Sequence, residues 1–381
     1  MKRLNSIDIA RALAIVLMIM CHFTIFMTRP KGAFPGIFFF GDHILGDFPA
    51  AMFLFLVGLC LSISVNQSKQ NGMSESSILS RLIIRGSVVF IFGMIFGTIV
   101  WGYENAFDWD ILTTIGSSII IVAFLRNLSS RKLVFFAIVV VVLSPYLRNL
   151  FGYPSFWEEA EYTPPWTIKE LFGGYFLNGY FPLFPWIAYS IIGHAVGKMY
   201  FIEHDESIML RNQKKIPVIG AFMIIAGFGG FLVNLYAGSS NKIMSFYLSK
   251  LSFYPLSTTL FLIEGGFILL LFGLLHIRFD FEAINNPIMN FLRRYSRYSL
   301  SVYVIHHVLI VFIPRMTGLL IHQDDYFYYQ DMFEPPIGLL LSVIFIFAFF
   351  PILILWDKVK GAGSFEWGVN KLVPKNRRYV S

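Results

Sequence analysis

The segment that decides the fold is SIDIARALAIVLMIMCHFTIFM, residues 6–27. It is apolar over about the 20 residues that an α-helix needs to cross the hydrocarbon core of a bilayer. It nevertheless contains three ionisable side chains, Asp8, Arg11 and His22. Ionisable groups inside a spanning helix usually face the interior of a helix bundle or a water-filled cavity. The segment therefore predicts a membrane helix with one polar, functional face.

The composition extends this interpretation to the whole chain. Hydrophobic residues make up 56% of the 381 residues, charged residues only 14%, and 42 residues are phenylalanine. A water-soluble domain of this size cannot bury so much apolar surface, so the composition indicates an integral membrane protein. The two cysteines, Cys21 and Cys60, both lie in apolar runs and form no disulfide or metal-binding pattern.

Ten apolar stretches along the chain are each long enough to form a membrane-spanning helix. The stretches are residues 9–27, 47–66, 84–102, 111–126, 133–150, 181–199, 216–237, 256–277, 298–314 and 336–356. The sequence therefore predicts an all-α integral membrane protein with a bundle of about ten transmembrane helices. We expect a single domain over residues 1–381, which ends in a short basic cytoplasmic tail at 357–381.

The basic residues predict the orientation of this bundle. If the N-terminus is cytoplasmic, all but seven of the 30 Lys and Arg residues fall at the inner ends of the predicted helices. The exceptions are Arg29, Lys31, Arg148, Lys169, Lys242, Lys250 and Arg315. This asymmetry follows the positive-inside rule and predicts that both termini are cytoplasmic. The net charge of +7 then indicates topology and attraction to anionic lipid headgroups, and it does not indicate a nucleic-acid partner. With no targeting signal visible, we expect a prokaryotic plasma membrane.

The spacing of the polar residues in the first helix predicts a polar stripe. Arg11 and His22 are eleven residues apart, so they lie within about 20° of the same helix face and about 16 Å apart along its axis. Asp8 precedes Arg11 by three residues and can form an ion pair with it on that face. The separation is comparable to the reach of an extended pantetheine arm. Alternatively, Arg11 extends to the inner headgroups with Asp8 as its counter-ion, and His22 makes an interhelical hydrogen bond.

A second stretch, RYSRYSLSVYVIHHVLI at residues 294–310, contains further polar groups within an apolar run. His306 lies about 14 Å along the helix from Arg297, and Tyr303 lies one turn before it. This predicted helix runs in the same direction as the first. Two histidines at related depths, His22 and His306, therefore predict a site at the end of a cavity. The alternative is that His306 only packs near the interface.

At these residues the sequence resembles a known family. SIDIARALAIVLMIMCH resembles the opening of the transmembrane acyltransferases, in which an Arg, ten residues and a His mark the first helix. GDFPAAMFLFLVGLCLSIS from Gly46 and FPLFPWIAYSIIGHAVGK from Phe181 resemble segments of the heparan-alpha-glucosaminide N-acetyltransferase branch. SLSVYVIHH from Ser299 resembles the S-L-x-x-Y-x-x-H segment, and GAGSFEWGV from Gly361 resembles a G-P-x-E-W segment of related bacterial membrane proteins.

The resemblance implies a function as well as a fold. It implies a bundle of ten or eleven membrane helices, a homodimer, and transfer of an acetyl group from cytoplasmic acetyl-CoA to an acceptor at the opposite face. The acceptor in the lysosomal branch is the amine of a terminal glucosamine, and in relatives it is a sugar hydroxyl. An O-acetyltransferase of exported polysaccharide or lipid-linked sugar therefore stays an alternative. A transporter or lipid flippase is a further alternative, because intramembrane Asp, Arg and His also build proton relays.

The resemblance assigns the general base to one of two histidines. A histidine near neutral pH suits the removal of a proton from an amine or hydroxyl. The lysosomal enzyme has an asparagine at the position of His22 and a histidine in the following loop, so the base is either His22 or His43. Asp47 would orient that base, or it would act as a helix N-cap before Pro49.

The remaining site residues are assigned to the thioester and to coenzyme A. Tyr303 or His306 would donate a hydrogen bond to the thioester carbonyl. Arg11, Arg81 and Arg85 would bind the phosphates of coenzyme A. The alternative for Arg81 and Arg85 is that they are ordinary positive-inside residues. We expect acetyl-CoA as the co-substrate and no metal.

Overall fold

The computed structural model describes residues 4–29, 33–151, 157–158, 161–162, 167–202, 214–237, 251–254, 256–282, 284–322 and 333–373. Fifteen α-helices follow one another along these residues. They are α1 Asn5–Met27, α2 Pro35–Phe39, α3 Leu45–Gln70, α4 Glu75–Trp101, α5 Ile111–Leu125, α6 Ser130–Leu150, α7 Ile168–Gly173, α8 Leu183–Phe201, α9 Lys215–Ala237, α10 Thr258–Phe279, α11 Pro287–Arg297, α12 Ser299–His307, α13 Ile313–His322, α14 Pro335–Lys358 and α15 Phe365–Leu372.

Shorter elements connect some of these helices. Single π-helical turns follow α2, α7 and α12, and one 3-10 turn follows α4. Their bounds are Phe40–Ile44, Gly174–Asn178, Val308–Phe312 and Tyr103–Asn105. One antiparallel pair of two-residue strands, β1 Trp157–Glu158 and β2 Glu161–Tyr162, lies in the long segment between α6 and α7.

The structure confirms an all-α membrane bundle. Eight helices of the described residues are long and apolar enough to cross a membrane. Two further apolar helices, α5 with 15 residues and α8 with 19, occupy the other two stretches that the sequence predicted. Each of the ten predicted stretches is thus occupied by a helix. The helical content follows from the bilayer itself, because only internal hydrogen bonds can satisfy the backbone within hydrocarbon.

Helix α1 lies in the interior of the bundle. It packs against α3, α10, α11 and α14. Its residues Ala10, Ala12 and Ala14 are fully buried, and small side chains of this kind let neighbouring helices approach closely. Because α1 is surrounded by other helices, the polar residues Arg11 and His22 face protein rather than lipid.

A close helix contact in the core joins α3 to α8. A Cβ atom on Gly58 would lie 1.8 Å from the carbonyl oxygen of Ser190, and one on Gly193 would lie 1.9 Å from that of Phe55. The hydroxyl of Ser190 also donates to the carbonyl of Leu54 at 2.8 Å. The two backbones are therefore in direct contact, which glycine at both positions permits.

Charged contacts hold the ends of the helices that form the site. At the start of α1, the Ser6 amide donates to Asp280 at 2.8 Å, and the same carboxylate contacts His276 at 2.7 Å. The helical conformation is interrupted at Tyr298, between α11 and α12. Beside this break, Arg294 and Arg297 bind the two oxygens of Asp357 on α14 at 2.7 and 2.6 Å.

Candidate active site

A cavity of about 1590 Å³ lies inside the bundle. Residues of α1, α3, α4, α5, α12 and α15 line it. Arg11 and His22 both belong to the lining, so one cavity joins the two ends of the polar stripe on α1. The structure thus places this stripe on a cavity and not against lipid.

One end of the cavity is basic, and we call it the basic end. Its lining includes four cationic residues, Arg11, Arg85, Arg297 and Lys360, and two carboxylates, Glu366 and Asp357, of which Asp357 forms an ion pair with Arg297 at 2.6 Å. Arg81, one turn before Arg85 on α4, is not among the lining residues that the structure describes. A cavity mouth of this charge can bind a polyanion through charge-assisted hydrogen bonds.

The hydroxyl of Ser296 joins Asp8 to Arg11 at this end. It donates to the Asp8 carboxylate at 2.7 Å and accepts from a terminal nitrogen of Arg11 at 3.3 Å. The other terminal nitrogen of Arg11 contacts the sulfur of Cys60 at 3.1 Å. The Arg11 guanidinium is therefore held between α1, α3 and α11. Ser296 links it to Asp8, the other residue of the predicted ion pair.

The opposite end of the cavity is acidic and aromatic, and we call it the acidic end. Four carboxylates and several rings line it: Asp42, Asp47, Asp108, Asp110, Trp109, Tyr180, Phe181, Phe253 and Tyr254. Carboxylates attract cations, and flat aromatic rings offer surfaces on which a sugar ring can stack. Asp47 lies in the first turn of α3. The side chain of His43 lies outside the residues that the structure describes.

Three histidines meet close to the acidic end, where Tyr303, one turn before His307, contacts Asp110. Nδ1 of His22 lies 2.9 Å from Nε2 of His306, and the rings of His22 and His307 are centred 4.6 Å apart. His22 and His307 line the cavity, whereas His306 lies behind His22 and is fully buried. The sequence did not assign His307 to the site, although it directly follows His306.

The hydrogen bonds of these histidines determine their tautomers. Nδ1 of His306 lies 2.9 Å from the carbonyl oxygen of Val302, and a carbonyl only accepts, so Nδ1 carries the proton. Neutral His306 then has a lone pair on Nε2, and Nδ1 of His22 must donate to it. Nε2 of His22 is consequently unprotonated. His22 therefore presents a basic nitrogen, held in place by His306.

His307 follows the same pattern. Its Nδ1 donates to the carbonyl of Tyr303 at 2.9 Å, so its Nε2 also lacks a proton in the neutral form. The ligand nitrogens of the three histidines lie within 4.8 Å of one another, which a metal ion could bridge. However, two nitrogen ligands on tetrahedral zinc lie roughly 3.3 Å apart, given bonds of about 2.0–2.1 Å. The shorter distance between His22 and His306 is that of a hydrogen bond.

Tyr303 donates its hydroxyl proton to a carboxylate in the structure. The acceptor is Asp110, at 2.7 Å; Asp110 also caps α5 by accepting from the amide of Ile111 at 2.6 Å. Burial raises the pKa of Asp110, while the hydrogen bonds from Tyr303 and Ile111 lower it. From the sequence we expected Tyr303 or His306 to donate to the thioester carbonyl. In the structure the hydroxyl proton of Tyr303 is donated to Asp110.

Several residues of the site had little signal in the sequence. Asp110 appeared there only as one acid among others before an apolar stretch, and Ser296 is an ordinary serine in a basic segment. Both residues belong to the site because they bond to residues of helices that are distant in sequence: Asp110 to Tyr303, and Ser296 to Asp8. By contrast, Arg11 and His22 stood out because they are ionisable within an apolar run.

Comparison with known proteins identifies the family. The family model described as heparan-alpha-glucosaminide N-acetyltransferase, catalytic, matches residues 3–229, more than half of the 381 residues. No curated protein matches the chain. The matched region contains Arg11, His22, Asp47, Arg85 and Asp110 of the cavity lining. The chain therefore belongs to the heparan-alpha-glucosaminide N-acetyltransferase catalytic family of membrane acetyltransferases.

Proposed function

We propose that this protein transfers an acetyl group from acetyl-CoA, bound at the basic end of the cavity, to an amino sugar at the acidic end, with His22 as the general base. The observation that carries the proposal is the single cavity that contains Arg11, His22 and the four carboxylates of the acidic end. Acetyl-CoA would enter from the cytoplasm. We further propose a prokaryotic plasma membrane as the compartment, and the homodimer stays a prediction from the resemblance.

The basic end suits coenzyme A. Its phosphates would contact Arg11 and Arg85, and Lys360 adds positive charge at the same mouth, whereas Arg297 is paired with Asp357. From Arg11 to His22 the helix rises about 16 Å, a distance that an extended pantetheine arm can cover. The thioester would then lie beside the unprotonated Nε2 of His22.

The proton steps follow from the tautomers. The ammonium group of the acceptor first releases one proton to solvent, so that its nitrogen carries a lone pair. The free amine then attacks the thioester carbonyl, and the proton that this nitrogen loses on forming the amide passes to Nε2 of His22. The resulting imidazolium is stabilised by His306, whose Nε2 accepts the hydrogen bond from Nδ1 of His22. When the carbon–sulfur bond breaks, His22 returns the proton to the leaving thiolate. General acid–base catalysis of this kind contributes roughly 10²–10⁴-fold to the rate.

The charge of the acidic end favours an amine over a hydroxyl as the acceptor. An amino sugar arrives as an ammonium ion, and Asp42, Asp47, Asp108 and Asp110 line its path. A neutral sugar hydroxyl gains little from four carboxylates. The aromatic rings at the same end can contact the sugar ring in either case.

The experiment is acetyl transfer by the purified full-length protein, with radiolabelled acetyl-CoA and either glucosamine or a sugar without an amine. We expect a base-stable N-acetyl product with glucosamine. The His22→Ala variant should bind coenzyme A with unchanged affinity in calorimetry and lose about 10²-fold or more in turnover. Unchanged turnover in a folded His22→Ala protein would exclude His22 as the base, and a base-labile product would favour O-acetylation.

A further inference from the structure

The helix that contains Tyr303, His306 and His307 begins at an unusual cap. The first amides of an α-helix have no partner within the helix and need acceptors from elsewhere. Tyr298, the residue before α12, supplies no side-chain cap. Instead, one oxygen of Glu366 accepts from the amides of Leu300 at 2.7 Å and Ser301 at 3.0 Å. The cap of α12 thus comes from α15, more than 60 residues further along the chain.

Ser301 makes this contact reciprocal. Its hydroxyl donates to the second oxygen of Glu366 and accepts from the amide of Phe365 at 2.9 Å. The N-termini of α12 and α15 therefore face each other and exchange hydrogen bonds. A turn between α14 and α15 makes the approach possible, because Lys360, Gly361 and Gly363 all have positive φ angles, of 54°, 79° and 84°.

The charge of Glu366 suits its position. A carboxylate at a helix N-terminus interacts favourably with the helix dipole, and its hydrogen bonds to backbone amides are charge-assisted. Its neighbour Trp367 and Asn370 line the basic end of the cavity, as Glu366 itself does. The cap therefore lies at the mouth through which the donor would enter.

A short chain of contacts leads from this cap to the base. The capped amides belong to Leu300 and Ser301, and the next two residues supply the carbonyls that orient the imidazoles. Val302 accepts from His306 and Tyr303 accepts from His307, both at 2.9 Å. His306 in turn holds His22 at 2.9 Å. Any shift of the first turn of α12 would therefore move the histidines with it.

We propose that Glu366 is a positioning residue for acetyl transfer, which caps α12 and thereby fixes His306 and His307 at the height where His306 can hold His22. This inference rests on the proposed function. It concerns a residue outside the matched region of residues 3–229.

The test compares the full-length variants Glu366→Gln and Glu366→Ala with the wild type. The matched control is Glu282→Gln, which removes an exposed carboxylate paired with Arg278. A misplacement of about 1 Å can cost up to 10²-fold in rate. We therefore expect kcat to fall about tenfold or more in Glu366→Ala and clearly less in Glu366→Gln, whose amide oxygen can still accept from the two amides. The KM for acetyl-CoA and the affinity for coenzyme A should stay within about twofold of the wild type in both.

A second readout does not depend on turnover. His306 is fully buried and both of its ring nitrogens are bonded, so diethylpyrocarbonate should modify it slowly in the wild type. We expect the modification of His306 relative to His22, measured by mass spectrometry, to rise several-fold in Glu366→Ala, less in Glu366→Gln, and not in Glu282→Gln.

The outcomes separate the two proposals. A wild type that never transfers acetyl would contradict the proposed function, and the ratio of modification would still test the role of Glu366. An unchanged ratio would overturn that role, as would an unchanged kcat in variants of an active enzyme. A raised KM for acetyl-CoA with unchanged kcat would identify Glu366 as a donor contact and would also overturn it.

Discussion

At the scale of single residues, the site depends on a chain of two imidazoles. The backbone carbonyl of Val302 fixes the proton of His306 on Nδ1, and this fixes the proton of His22 on its own Nδ1. A neutral imidazole takes here the orienting position that a carboxylate occupies in hydrolase triads. Among the described residues no carboxylate is hydrogen-bonded to His22 or His306, so the basicity of His22 depends on where His306 is held.

The hydrogen bond between His22 and His306 predicts that different replacements of His306 lower kcat to different extents. In His306→Gln, the amide oxygen can still accept from Nδ1 of His22, whereas His306→Phe leaves that proton without an acceptor. We expect kcat to fall by about 10²-fold in His306→Phe and clearly less in His306→Gln. Steady-state acetyl transfer at saturating acetyl-CoA measures both. Equal activity of His306→Phe and the wild type would show that His22 needs no orienting partner.

The pair of Tyr303 and Asp110 predicts a pH effect on stability. The pKa of Asp110 is raised in the folded protein above the unfolded value of about 3.9, so the folded state binds a proton that the unfolded state releases. Stability therefore falls as the pH rises from the unfolded toward the folded pKa. Tyr303→Phe removes a hydrogen bond that lowers this pKa, so the loss should extend to higher pH in the variant.

Thermal unfolding in detergent across pH measures this difference. The curves of the wild type and Tyr303→Phe should run parallel from a pH of about 4 up to the raised pKa of Asp110 in the wild type, and separate further above it. Adding Asp110→Asn to both proteins should remove the pH-dependent part of the separation. Parallel curves without that addition would show that Tyr303 does not influence the ionisation of Asp110.

The residues that the sequence revealed share one property. Arg11 and His22 are costly in an apolar helix unless they face a cavity, so their presence alone was informative. His307, Asp110 and Ser296 are unremarkable locally, and their roles arise from partners on other helices. Single-sequence reasoning cannot find such contacts, because they depend on the way the helices are arranged.

At the scale of elements, the contact of α3 with α8 fixes one side of the cavity. Residues of α3 such as Ala50, Phe53 and Val57 line the cavity, and a different face of the same helix touches the backbone of α8 at Gly58. The position of these lining residues therefore depends on two glycines that lie outside the site.

This contact predicts that Gly58→Ala destabilises the protein. The added Cβ would meet the carbonyl oxygen of Ser190 at 1.8 Å, so the helices must separate, and overpacking of this kind costs about 1–3 kcal/mol. We expect a lower thermal unfolding temperature in detergent. The matched control is Gly229→Ala on α9, where the added Cβ meets nothing within 4 Å. Equal unfolding temperatures of the two variants would contradict the contact.

The elements themselves could largely be predicted from hydropathy. The predicted stretches 111–126 and 216–237 nearly coincide with Ile111–Leu125 and Lys215–Ala237. The largest difference is α4, which begins at Glu75 instead of residue 84, because Ser74 caps a polar first turn. Hydropathy detects only the apolar part of such a helix. It also does not detect π-helical turns such as Val308–Phe312, since these keep the same apolar pattern.

At the scale of the whole molecule, the charges are divided between the two ends of one cavity. The basic end would bind an anionic donor and the acidic end a cationic acceptor, and the histidines lie close to the acidic end. The asymmetry of Lys and Arg in the sequence predicted which end is cytoplasmic. Only the arrangement of the helices shows that the two ends belong to the same cavity.

The basic end predicts different effects of two neighbouring arginines. Arg85 lines the cavity and Arg81 does not. A hydrogen bond to a charged group contributes about 1.5–3 kcal/mol, so Arg85→Ala should raise the KM for acetyl-CoA by roughly ten- to a hundredfold. Arg81→Ala is the matched control and should change the KM little. Equal effects of the two substitutions would mean that both act only through the surface charge.

The central claim is that the cavity carries the thioester from the basic end to His22. The most direct measurement is an electron cryomicroscopy structure of the full-length protein with coenzyme A bound. The account predicts phosphates at Arg11 and Arg85, and a sulfur within hydrogen-bond reach of Nε2 of His22 or one water away. Coenzyme A bound at the acidic end, or with its sulfur outside the cavity, would contradict it.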